Sequence, residues 1–85
     1  MTTKTAEKRE YLTAEEIETE TVKLETLMDR LEQIAQATRD TTQKMMANLA
    51  LEHLRFACAY IRRNRLDEAG ERLLAAKAYI QEVLA

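Results

Sequence analysis

The chain has 85 residues, no proline, one glycine and one cysteine, with 33% charged and 46% hydrophobic side chains and a net charge of −2. That composition suits one small helical domain, because the two main helix interrupters are almost absent. It excludes an internal disulfide and the strongly basic balance of a general nucleic-acid binder, and no stretch nears the ~18 apolar residues of a membrane span.

Charge is unevenly spread. Residues 1–40 carry 10 acidic and 6 basic side chains, whereas residues 41–85 carry 5 acidic and 7 basic. The two halves are therefore complementary, which favours antiparallel packing within a chain or between chains. Residues 1–12 read as a flexible polar arm, with Tyr11 and Leu12 placed to fold back as a staple. The opening Met-Thr-Thr-Lys lacks the apolar run of a signal peptide, so the cytoplasm is the expected location.

A single helical domain is expected over 13–85. Thr13 and Glu16 have capping-box spacing, which predicts a first helix over about 14–38. Ile17, Leu24 and Leu31 recur every seven residues, Leu27 and Ile34 fill the alternate positions, and Met28 and Ala35 widen the stripe. Glu15, Glu18, Glu25, Asp29 and Glu32 occupy the opposite, wet face. At ~1.5 Å per residue such a helix is about 36 Å long. Two and a half heptads are too few for a long coiled coil.

Residues 37–43 break that stripe, and Asp40 with Gln43 again has capping-box spacing. The expected result is a turn that folds the first helix back; a single helix over 14–63 is the alternative. The second helix, about 41–63, contains the most apolar stretch of the chain, from Met45 to Ile61. Its polar residues Asn48, Glu52, Arg55 and Arg62, with Ala59 among them, form one narrow stripe, and His53 lies beside it. A helix wet on only one stripe must be covered on several sides. It is expected in the middle of the fold, and two neighbours are expected to be too few to cover it.

Asn64 suits the left-handed position that ends a helix. Asp67 and Glu68 then open a third helix, about 67–84, with Glu68 and Arg72 at ion-pair spacing. This helix should bury Leu66, Ala69, Leu73, Ala76, Ile80 and Val83 or Leu84, with Leu74, Ala78 and Tyr79 enlarging the face. The expected class is all-α: a helical hairpin plus an N-terminal amphipathic helix, forming three helices.

Within the hairpin, His53, Phe56-Ala57 and Tyr60, followed by Ala69, Leu73 and Ala76, have the spacing of a tetratricopeptide repeat. Residues 50–83 resemble one copy of that family, with the turn 64–68 in the place of the repeat's turn. The match departs at His53 and Leu73, where larger aromatic residues are usual, and Gln81 stands near the place of the closing proline. The resemblance implies a protein-binding surface, not chemistry. Small residues at 57, 69 and 76 would let the helices approach, with Phe56, Tyr60 and Leu73 filling between them.

Candidate sites are few. Glu52 and His53 are adjacent and point about 100° apart on a helix, so they cannot chelate one ion. The Glu-x-x-His motif of carboxylate metal bundles does not occur. No catalytic residue, metal, cofactor or small-molecule substrate is expected, and Cys58 reads as a small buried hydrophobe. The expectation is a non-enzymatic protein-interaction module, such as a small adaptor, assembly factor or chaperone-like subunit. It would form a homodimer or bind another helical protein. Contact residues would be Leu24, Leu27, Leu31 and Ile34 of the first helix and Met45, Met46 and Leu49 of the second. Met45 and Met46 suit an adaptable groove, and Tyr60 and Tyr79 suit its rim. The alternative is a small nucleic-acid-associated regulator using Arg62, Arg63 and Arg65.

Overall fold

The computed structural model describes residues 12–85 and is all-α. Three helices follow one another: α1 (Ala14–Ala37), α2 (Thr41–Arg62) and α3 (Leu66–Leu84). Their ends lie within one residue of those read from the sequence. The start of the expected arm, including Tyr11, lies outside the described residues.

Each boundary has a local cause. At α1, the Glu16 amide donates to Thr13 Oγ1 at 3.2 Å and the Thr13 amide donates to Glu16 Oε1 at 2.9 Å, completing the capping box. The chain turns at Thr38–Asp40 and does not continue as one rod. Asp40 caps α2 by accepting from the amides of Thr42 (2.9 Å) and Gln43 (3.2 Å). Gln43 does not complete a second capping box. Its side chain accepts from the Thr38 hydroxyl and donates to the Val83 carbonyl at 3.1 Å, so it ties the start of α2 to the end of α3.

Asn64 ends α2 with φ 58°. The Arg65 amide donates to the Tyr60 carbonyl and the Asn64 amide to the Ile61 carbonyl, both at 2.9 Å, which is the Schellman pattern. Glycine is the usual residue there, and the structure explains why asparagine stands instead. Asn64 Oδ1 accepts from the Leu12 amide, and Asn64 Nδ2 donates to the Leu12 carbonyl at 3.2 Å. One side chain joins the entry to α1 to the α2–α3 turn.

The helices run up, down and up, with α2 between the other two. α1 and α3 both pack on α2, and no Cα atom of α1 comes within 8 Å of one in α3. The core is built from Leu31 and Ala35 of α1, Ala47, Ala50, Leu51 and Leu54 of α2, and Ala76 and Val83 of α3. Ala57, Ala69 and Ala76 are buried, as close helix approach requires. Thr21, the buried polar residue of α1, donates its hydroxyl to the Ile17 carbonyl at 2.8 Å. The charge asymmetry is resolved inside the chain: Arg55 pairs with Glu32 at 3.3 Å and Arg62 with Glu25 at 2.9 Å across α1 and α2.

Two expectations about packing are corrected, and a third holds in part. α1 and α3 bury Ala47, Ala50, Leu51, Leu54, Ala57, Cys58 and Ile61 of α2 but leave Met45 and Phe56 exposed along its edge. Phe56 does not fill the space between α2 and α3: it is 42% exposed at the rim of α2. Leu74 and Ala78 do not enlarge the buried face of α3; Leu74 is 71% exposed and Ala78 is exposed. Of the two terminal candidates, Val83 is buried and Leu84 exposed.

Candidate interaction surface

The seven residues expected to meet a partner divide into two groups. Leu31 has no exposed surface, so it cannot touch a partner while the fold is intact. Leu24, Leu27, Ile34 and Met46 are half-buried and packed against the same core. The α1 seam therefore already has an occupant, namely the rest of the chain. Heptad spacing gave its direction correctly, but that direction is inward. Met45 is 52% exposed, and Leu49 is half-buried beside it. These two line a shallow depression with Thr41, Lys44, Asn48 and Glu52.

Phe56 extends this strip. Met45, Leu49 and Phe56 are spaced four and seven residues apart, so they share one edge of α2. Sequence reasoning assigned Phe56 to the interior, although a signal was present: it lies four residues after Glu52, a member of the wet stripe. Met45 likewise lies three residues before Asn48.

The edge is held by contacts from α3. The Arg72 guanidinium lies 4.3 Å from the Phe56 ring centroid. Arg72 Nη1 also lies 3.1 Å from His53 Nδ1, within hydrogen-bond distance. The His53 and Tyr79 rings stack with centroids 5.7 Å apart and planes 9° apart. Arg72 thus serves the rim and does not pair with Glu68, as i,i+4 spacing had suggested. Glu68 pairs with Arg65 instead. A guanidinium over a ring is worth about 0.5–1 kcal/mol at an exposed site, so it orders Phe56 without burying it.

The basic turn is partly committed. Arg62 is paired with Glu25, while Arg65 is paired with Glu68 and lies 5.5 Å from the Tyr60 ring centroid. Arg63 is exposed and has no ion pair among the described residues. The three arginines do not converge as one unneutralised patch.

Among the described residues no group of three or more His, Cys, Asp or Glu side chains could hold a metal ion. Cys58 is buried, and burial pushes its thiol above the ordinary value; Arg62 opposes that shift and Glu25 adds to it. A buried thiol held in its neutral form is a poor nucleophile. No helix among the described residues is long and apolar enough to cross a membrane. The chain matches no protein-family model, and no curated protein or solved structure matches it.

Proposed function

We propose that this protein is a non-enzymatic interaction module that binds an amphipathic helix of a partner protein along the α2 rim. The observation that carries the reading is the exposure of Met45 (52%) and Phe56 (42%) on one helix edge, with Leu49 between them. Large apolar side chains set in a row at helical spacing are the complement of an i, i+4, i+7 partner stripe. Met45 supplies an adaptable contact and Phe56, held under Arg72, a rigid one. Lys44 and Glu52 both line the strip, so a partner helix with flanking charges of both signs suits it. Binding would proceed by burial and charge matching, with no bond chemistry, as an adaptor, assembly factor or chaperone-like subunit does.

The test is affinity capture from the native host with wild type, the Met45→Glu/Phe56→Glu double variant and a Val22→Glu control. Val22 is 46% exposed on the far face of α1. Circular dichroism would first establish that all three fold. The expected result is a protein retained by wild type and by the control but lost from the double variant. Identical retention by all three would refute the reading.

A further inference from the structure

The outward face of α3 has two features that the described residues do not explain. Leu74 is 71% exposed, the most exposed large apolar residue among those described. One turn earlier, Gly70 sits inside a helix without a positive φ, and a Cβ added there would meet nothing within 4 Å. Glycine weakens a helix relative to alanine. Neither a turn nor a close neighbour among the described residues calls for one at this place. Seen from outside, Gly70 is a hollow and Leu74 a projection, side by side on one face.

The charges on this face have a matching symmetry. Asp67 and Lys77 are exposed and have no ion pair among the described residues. Residue 72 lies midway between Gly70 and Leu74, and also midway between Asp67 and Lys77. An antiparallel two-fold about that point sets each Leu74 over the other Gly70. The same operation brings each Asp67 level with the other Lys77. One register satisfies shape and charge together. The α2 rim lacks this property: about the midpoint of Met45 and Phe56, Glu52 maps onto Leu49.

We infer that α3 pairs antiparallel with α3 of a second copy of this chain, with Leu74 docked over the partner's Gly70. The contact is isologous, so it closes at a dimer. It is small and stays weak, because one helix face lies far below the area of a standard interface. Glu71 is exposed and close to the axis, so the two copies bring like charges together there, weakening the pair further. This surface is separate from the α2 rim, and the two proposals fail independently.

The experiment is analytical ultracentrifugation of the full chain at concentrations up to the order of 1 mM. The wild type is expected to show a monomer–dimer equilibrium. Leu74→Glu should weaken it about tenfold or more. Glu71→Gln should tighten it. Lys77→Asp should weaken it, and adding Asp67→Lys should restore it. Gly70→Ala gives the most discriminating result: it should raise the melting temperature of the dilute monomer, because the added methyl meets open space, while weakening association, because the hollow is filled. A wild type that stays monomeric throughout overturns the inference. So does a dimer unaffected by Leu74→Glu, or one lost instead in Phe56→Glu.

Discussion

Asn64 offers the sharpest test of how the entry to α1 is held. Replacing it with glycine separates two effects of opposite sign. An L-residue in the left-handed region is disfavoured by about 1–2 kcal/mol, which glycine avoids. Glycine returns about 0.5–1 kcal/mol of that through the greater freedom of the unfolded chain. On backbone grounds alone, Asn64→Gly should therefore stabilise by about 0.5–1 kcal/mol. The substitution also removes both hydrogen bonds to Leu12. At about 0.5–1.5 kcal/mol net each, these contribute about 1–3 kcal/mol. The sum is a loss of about 1 kcal/mol, or roughly 4–8 °C in melting temperature for a domain of this size. Asn64→Ala loses the same bonds and keeps the left-handed φ, so it should cost about 1–3 kcal/mol, more than Asn64→Gly. Thermal and urea unfolding followed by far-ultraviolet circular dichroism would measure both. An Asn64→Gly protein as stable as wild type, or more so, would show that the bridge to Leu12 contributes too little to explain asparagine at this position.

Leu54 is 1% exposed at the centre of α2, so Leu54→Ala should cost about 2–5 kcal/mol in urea unfolding, while Met45→Ala, on the exposed edge, should stay within about 0.5 kcal/mol. Equal effects at the two positions would contradict the division of α2 into a core arc and a free edge. Cys58 supplies a pH dependence. Burial raises its folded-state value above the ordinary 9.0, so the unfolded chain gives up the proton first. Its stabilising contribution is present below about pH 9 and is lost as pH rises beyond that. The wild-type stability minus that of Cys58→Ala should fall over this range, and a flat difference would refute the assignment.

Much of the fold was legible because it depends on local rules. Thr13 with Glu16, Asp40, and Asn64 mark helix ends through hydrogen bonds spanning a few residues. The wet stripe of Asn48, Glu52, Arg55 and Arg62 gave the outward direction of α2 correctly. The surface was less legible, because periodicity gives an angle but not the position of neighbours. Leu24 and Leu27 have the spacing of a docking seam, yet that spacing also fits a helix folded onto its own chain, as α1 is. Arg72 had Glu68 at ion-pair spacing, but His53 and Phe56, 19 and 16 residues away in sequence, reached it first. Leu74 has the hydrophobicity of a core residue but not the angle of one. It lies three residues from Lys77 and four from Ala78, on the face that α2 does not cover.

The flanking helices α1 and α3 each pack on α2, and no Cα atom of one comes within 8 Å of a Cα atom of the other. Release of one leaves the other seated, so local opening at either side uncovers only part of the middle helix. Its amide protons consequently meet solvent most completely when the whole molecule comes apart. α1 and α3 each retain a shorter route to exchange. The rim residues thus ride on the segment with the slowest clock in the molecule, which would give the proposed partner helix a firm platform on which to land.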